Sequence, residues 1–149
     1  MIMRLRTLAL LALATVLLGG CCRCKQIQQK NYGKPLVGTQ WHLTQLDGKE
    51  MARAEGKFNI TFAEDGRISG VGDCNRLGGS FSQHDVHKQE GKIKIGQLIS
   101  TRAFCPDQAT EDKFMKMLIE VDSYKLDVYL LIMYKGNDMV AVFEADKWK

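Results

Sequence analysis

The sequence predicts an α+β domain: a curved, mainly antiparallel β-sheet, resembling an open barrel, packed with one principal α-helix. Short segments of alternating apolar and polar residues recur along the chain and are separated by turn signals, as is typical of antiparallel strands. One longer segment repeats its apolar residues at helical spacing instead. Of the 149 residues, 45% are hydrophobic and only two are proline, which is the composition of one globular domain.

The strands are predicted from alternation and from turns. Phe58, Ile60 and Phe62 alternate with polar residues and are predicted to share a buried face. The turn Asp65-Gly66 follows, so 58–71 is predicted as a hairpin. The other predicted strands are 41–46, one around Phe81, 92–95, 123–126, 129–134 and 139–143.

The helix is predicted over 108–121. Asp107 can cap its N-terminus, and Glu111 and Asp112 place negative charge in its first turns, where the helix dipole favours it. The residues that recur at helical spacing are Phe114, Met117, Leu118 and Val121. The sequence offers no second helix of this quality in the folded region.

Residues 1–20 are predicted to be a signal peptide. Arg4 and Arg6 precede the apolar run 8–18, which is too short to span a bilayer. The run ends in Leu18-Gly19-Gly20-Cys21, which resembles the lipobox of bacterial lipoproteins, cut just ahead of Cys21. A cysteine at the new N-terminus can carry two or three acyl chains, so membrane anchoring through Cys21 is predicted. An ordinary cleaved signal peptide is the alternative.

The mature chain would begin with a polar tether over 21–37. Without Arg4 and Arg6, 19 basic residues face 17 acidic ones, a net charge near +2 that is too balanced and too scattered for a nucleic-acid binder. Cys22 occupies the second mature position, and by resemblance to the sorting rule of enterobacterial lipoproteins the absence of aspartate there favours the outer membrane. We therefore expect a lipoprotein of the bacterial envelope, anchored in the outer membrane and facing the periplasm.

Five cysteines bear on the folded state: Cys21, Cys22, Cys24, Cys74 and Cys105. If Cys21 is lipidated, four remain and allow three pairings in an oxidising compartment. A Cys74–Cys105 disulfide is favoured, because both residues fall in the folded region and close a long loop. Cys22 and Cys24 could be free, paired or acylated, and without a nearby histidine they are an incomplete metal site.

No metal, cofactor or catalytic group is predicted. His84 and His87 lack a third and fourth ligand, and Glu64 and Asp65 serve a turn. A cysteine nucleophile would need a base, and His42, His84 and His87 are all remote from both cysteines in sequence. A thiol-dependent enzyme is therefore the third choice of function.

Several spaced motifs resemble one known family. They are Trp41 and Leu43, Phe62 and Gly66, Gly70 with Cys74-Asn75-Arg76 and Gly79, and Thr101-Arg102 before Cys105-Pro106. In this order they resemble the META domain of HslJ-type lipoproteins, from about Gly38 to Phe143, so we assign this domain to 38–146. Asp73 stands where the family often has glycine, and Phe104 where it usually has a small residue, a change expected to be absorbed by packing.

The resemblance implies a small α+β fold associated with envelope stress, antibiotic tolerance and, in some relatives, secretion or virulence. It implies no reaction and no ligand. The shared residues have a structural interpretation: Asn75 can hydrogen-bond the loop backbone, and the two cysteines can staple two loops.

Arg76 and Arg102 each lie beside one cysteine, so a disulfide would bring both guanidinium groups to one region. Together with Asn75 and Thr101 they form the predicted binding surface, suited to carboxylate or phosphate groups of a partner. Pairing with Asp73 or Asp107 within the chain is the alternative.

We expect a monomeric, non-enzymatic interaction module in envelope maintenance or in resistance to heat or antibiotic stress, with an unidentified envelope protein as its partner. The second choice is a lipid-anchored protein of the protease-inhibitor type, which would present rigid, disulfide-stapled loops to a protease.

Overall fold

The computed structural model describes residues 33–84 and 89–146. In this part of the chain one antiparallel sheet closes into a barrel because its first long strand pairs with its last. The strands are β1 Gln40–Leu46, β2 Lys49–Glu50, β3 Asn59–Phe62, β4 Arg67–Val71, β5 Arg76–Gln83, β6 Glu90–Ser100, β7 Ser123–Asp127, β8 Leu130–Lys135 and β9 Asp138–Ala145. The predicted α+β class with a curved antiparallel sheet is confirmed, and the barrel is closed.

The one helix of the described residues is α1, Gln108–Glu120. It begins where predicted, and the Asp107 side chain accepts a hydrogen bond from the Thr110 backbone N–H at 3.2 Å. Strand β7 pairs only with Glu90–Lys92 of β6, and α1 packs against β6. The helix therefore covers part of the wall where β6 extends beyond its neighbour.

The core is a single cluster to which the sheet and α1 both contribute. Phe114 of α1 is fully buried; its ring meets Phe58 edge-on at a centroid distance of 5.6 Å and lies 6.3 Å from the ring of Phe143. Trp41 and Phe62 are also fully buried. Apolar packing of this kind is the main stabilising force of a small domain.

The prediction for Phe58 is wrong. It was expected to share a buried face with Ile60 and Phe62, but β3 begins only at Asn59, and Phe58 is half-buried with φ +42°. Its N–H donates to the carbonyl of Gly72 at 2.9 Å, and its own carbonyl accepts from Leu43 N–H at 2.8 Å. These bonds turn Phe58 out of the strand and toward the helix.

Strands β5 and β6 are longer than alternation predicts. Their pairing continues to Leu77 opposite Ser100 and Gly78 opposite Ile99, in segments rich in glycine and polar residues. Backbone hydrogen bonds, rather than an alternating apolar face, form this part of the sheet.

The strands run alternately up and down, so their connections lie at two ends of the barrel. The disulfide end carries the segment 72–75 and the segment 101–107. The entry end carries the first described residues, where Lys34 N–H donates to the Val128 carbonyl at 2.7 Å and Gly38 N–H to the Phe62 carbonyl at 2.8 Å.

The predicted signal peptide, Cys21, Cys22, Cys24 and His87 lie outside the described residues. Within the described residues, α1 is neither long enough nor apolar enough to cross a bilayer.

Candidate functional site

A disulfide between Cys74 and Cys105 joins the two segments at the disulfide end. The cysteines are 31 residues apart in sequence, and their Cα atoms are 5.5 Å apart. The pairing favoured from the sequence is thus the one present. Cys105 is buried and Cys74 is exposed, so the bridge connects the interior of this end to its surface.

A buried carboxylate lies beneath the disulfide. Glu111, in the first turn of α1, is 3% exposed. Its Oε2 accepts the backbone N–H of Cys74 at 3.1 Å and of Asn75 at 3.2 Å, and its Oε1 accepts the Asn75 side-chain amide at 2.6 Å. Oε2 also lies 3.3 Å from the Cys105 sulfur.

The charge of Glu111 is stabilised by these donors. Burial alone raises the pKa of the carboxyl, but the Asn75 amide and the backbone N–H groups of Asp73, Cys74 and Asn75 outweigh burial, so the pKa lies below its ordinary value. From the sequence, Glu111 was expected only to interact favourably with the helix dipole. The missed signal is its spacing, because a carboxylate three residues before Phe114 and seven before Leu118 lies on the apolar face of the helix.

Gly72 makes room for this carboxylate. A Cβ atom at position 72 would lie 2.6 Å from Oε2 of Glu111 and 2.8 Å from its Cγ. Only glycine lets the backbone pass so close to the buried side chain.

Asn75 fixes the backbone of the segment 101–107. Its Oδ1 accepts the Thr101 hydroxyl and the Ala103 backbone N–H, both at 2.8 Å, and its Nδ2 donates to the Ala103 carbonyl at 3.0 Å. With 3% exposure, Asn75 cannot itself contact a partner, so its assignment to the binding surface is corrected. It carries the backbone-bonding role that the family resemblance implies.

Asp73 ties the same region to the helix. Its carboxylate receives Lys57 Nζ at 2.6 Å and the Asp107 backbone N–H at 2.9 Å. The hydrogen bond from Lys57 and then that from Asp107 hold the pKa of Asp73 below its ordinary value. We call Asp73, Asn75, Glu111 and the disulfide the disulfide-end cluster.

The arginines lie outside this cluster. Among the described residues neither Arg76 nor Arg102 forms an ion pair with Asp73 or Asp107, because Asp73 pairs with Lys57 and Asp107 caps the helix. The alternative that Asp73 or Asp107 pairs with these arginines is therefore wrong. Both guanidinium groups are on exposed residues.

Phe104 also lies outside the cluster. It is 93% exposed, against the expectation that packing would absorb it, and Ile99 nearby in the chain is 73% exposed. Phe104 follows Ala103, whose backbone is held by Asn75, and precedes the buried Cys105, so the exposed side chain extends from a backbone that is fixed on both sides. We call the exposed set, Arg76, Ile99, Thr101, Arg102 and Phe104, the disulfide-end surface.

The described residues offer one set of potential metal ligands. The side-chain ligand atoms of Cys74, Cys105 and Glu111 lie within 4.8 Å of one another. Both sulfurs are bonded to each other, and the carboxylate already accepts several N–H groups. In this state the set is a structural cluster, with no thiolate available for a metal or for nucleophilic attack.

His42 was considered as a possible base. It is buried on β1, and neither ring nitrogen has a hydrogen-bond partner among the described residues. Burial and then the Arg53 charge lower its pKa, more than the negative charges of Asp146 and Glu144 raise it. The lowered pKa favours the neutral form of the His42 ring.

The chain is similar to a known protein family and to solved structures. The family model of the META domain matches residues 34–147. A solved NMR structure of a protein from Burkholderia xenovorans is similar at 25% identity and a TM-score of 0.58, covering 76% of this chain and 85% of that one.

A crystal structure of a DUF4847 family protein from Bacteroides vulgatus is similar at 17% identity and a TM-score of 0.55, covering 76% of this chain and 96% of that one. At this identity the likeness shows the fold alone. Comparison with curated proteins gives no significant match. Because the family model spans the whole described barrel, the chain belongs to the META domain family.

Proposed function

We propose that the protein is a non-enzymatic lipoprotein of the bacterial envelope that binds another protein through its disulfide-end surface. The observation that carries this proposal is the combination of a 93% exposed Phe104 with an exposed Arg102, on a backbone that Asn75 holds in place. Aromatic and arginine side chains dominate binding energy at protein interfaces. A loop that is already ordered loses little conformational entropy when it binds.

The position of this surface on the barrel fits an anchored protein. The described chain enters at Lys34, at the entry end, and the disulfide-end surface lies at the other end. The proposal places a lipid on Cys21, ahead of the polar tether in the sequence, and a partner in the periplasm. Outer-membrane anchoring is part of the proposal.

Membership in the META domain family supports a role in envelope maintenance or in resistance to heat or antibiotic stress, which is the role that the likeness to HslJ-type lipoproteins implies. The bonded state of Cys74 and Cys105 favours binding over thiol chemistry. A single barrel of this kind needs no second subunit to complete the surface, so the proposed protein acts as a monomer.

Photocrosslinking in intact cells tests the surface. A photoreactive phenylalanine analogue replaces Phe104 in one full-length variant and Val128 in a matched control, since Val128 is 53% exposed at the entry end. We expect a discrete light-dependent adduct at position 104 that is absent at position 128. No adduct at position 104, or the same adduct at both positions, contradicts the proposed surface.

Mass spectrometry of the protein extracted from membranes tests the anchor. We expect acyl chains on Cys21 as the N-terminal residue. An unmodified N-terminus, or a first residue other than Cys21, contradicts the lipoprotein assignment.

A further inference from the structure

We propose that residues 101–104 form a substrate-like loop that occupies the active-site cleft of a trypsin-like serine endopeptidase, with Arg102 in its primary specificity pocket. The inference rests on the proposed function, because it names the class of partner for the disulfide-end surface. It makes the protein an inhibitor, bound through a loop that the protease reads as a substrate but does not efficiently cleave.

The hydrogen bonds of Asn75 bracket Arg102. Asn75 Oδ1 accepts the hydroxyl of Thr101, the residue before Arg102, and the backbone N–H of Ala103, the residue after it, each at 2.8 Å. Asn75 Nδ2 also holds the Ala103 carbonyl at 3.0 Å. The peptide bond between Arg102 and Ala103 is therefore fixed from within, while the Arg102 side chain is exposed.

Further ties hold both flanks of the loop. Before Arg102, Thr101 N–H donates to the Arg76 carbonyl at 3.0 Å, and the Thr101 hydroxyl accepts the Arg76 N–H at 3.1 Å. After Arg102, the buried Cys105 is bonded to Cys74. If a protease cut the loop, these ties would keep the new chain ends in place, which slows release and favours re-ligation over departure.

The chemistry of the loop matches one class of cleft. A trypsin-type primary pocket carries an aspartate at its base, and the guanidinium group of arginine can bond a carboxylate with two parallel hydrogen bonds. Phe104, two residues beyond Arg102, adds an exposed ring on the leaving-group side. Residues 101–104 are all exposed and belong to no helix or strand, as a loop must be to enter a cleft.

Inhibition assays with purified trypsin and chymotrypsin and small chromogenic substrates test the proposal. We expect the folded, disulfide-bonded protein to inhibit trypsin in preference to chymotrypsin. Arg102→Ala should weaken trypsin inhibition by about 100-fold or more, as for a central interface residue. The matched control Arg67→Ala removes an exposed arginine at the entry end, outside the disulfide-end surface, and should change inhibition by less than about threefold.

Arg102→Phe provides a readout that a merely structural role of Arg102 would not change. Because the side chain at position 102 is exposed, this variant should fold normally and should shift the preference from trypsin to chymotrypsin. Asn75→Ala should convert the inhibitor into a substrate, with water adding across the Arg102–Ala103 bond to give a new carboxylate and a new amine, detected by mass spectrometry after reduction.

The outcomes separate this proposal from the proposed function. Active trypsin at saturating protein, or rapid cleavage of the wild-type loop, overturns the inhibitor proposal. If trypsin is not inhibited and the crosslinker at position 104 captures a protein that is not an endopeptidase, the proposed function stands without this inference. If trypsin is not inhibited and position 104 gives no adduct, both are overturned.

Discussion

The barrel core and the disulfide-end cluster are both buried, but different interactions hold them. In the core, Trp41, Phe62 and Phe143 pack with essentially no exposed surface. In the cluster, Asn75 and Glu111 are equally buried, yet each polar atom has a partner at a defined distance. Apolar packing tolerates small shifts, whereas a buried hydrogen bond requires one geometry. The core therefore stabilises the domain, and the cluster fixes the shape of one surface.

The largest effect is expected from the core. Phe114→Ala should lower the free energy of unfolding by about 4 kcal/mol, because it removes a fully buried ring that contacts Phe58 and Phe143. Urea denaturation at neutral pH measures the change. Ile119→Ala, on the exposed face of the same helix, is the control and should cost less than about 1 kcal/mol. Equal losses for the two variants would show that α1 does not share the barrel core.

The disulfide is expected to contribute next. Replacing Cys74 and Cys105 together by serine should lower stability by about 3 to 4 kcal/mol, as estimated for a closed loop of 31 residues. A reducing agent should shift the urea midpoint of the wild type to a similar extent and leave the midpoint of the double variant unchanged. A wild-type midpoint that ignores reduction would mean that the polar cluster alone holds the two segments together.

Glu111 is expected to make the cluster, and not the core, sensitive to acid. Its pKa is lowered on folding from an ordinary value of 4.5, so its contribution to stability is present above that value and is lost as the pH falls through the folded pKa. Glu111→Gln should cost about 3 kcal/mol at pH 7, because an amide cannot replace the charged acceptor of several N–H groups.

The pH dependence of this variant is the sharper measurement. The difference in stability between wild type and Glu111→Gln should narrow as the pH falls from 5 toward 3. Glu55→Gln, which removes an exposed carboxylate, should differ little from wild type over the same range. A difference between wild type and Glu111→Gln that stays constant over this range would contradict a lowered pKa of Glu111 in the folded protein.

The contrast between core and cluster also explains what the sequence could predict. Alternation located the core strands, and helical spacing with Asp107 located α1, because apolar periodicity is a local signal. Phe58 was misplaced because its backbone bonds to Gly72 and Leu43, which are distant in sequence. Closure of the barrel likewise depends on pairing between β1 and β9, which no local pattern encodes.

The site was predicted in part. The cysteine pairing followed from counting residues inside the folded region, and the arginines beside it were correctly placed on the surface. The burial of Asn75 and the exposure of Phe104 were not predictable from local sequence. Both depend on a hydrogen bond between Asn75 and Glu111, which lies 36 residues later in the chain. The role of Glu111 is apparent only in the folded structure, where α1, the segment 72–75 and the segment 101–107 come together.

The smallest effect on stability is expected from the disulfide-end surface. Phe104→Ser should change the free energy of unfolding by less than about 0.5 kcal/mol, because the side chain is 93% exposed and buries almost nothing on folding. Phe62→Ser, in the core, is the matched comparison and should cost about 4 kcal/mol or more, since it leaves a cavity that contains a hydroxyl group. Urea denaturation of both variants gives the two values.

A loss above 1 kcal/mol for Phe104→Ser would mean that the ring packs against the domain in solution, and a ring packed in this way would not be available to a partner. A negligible loss, together with weakened trypsin inhibition by Phe104→Ser, would assign this side chain to binding, because it would then contribute to the complex and not to the stability of the domain.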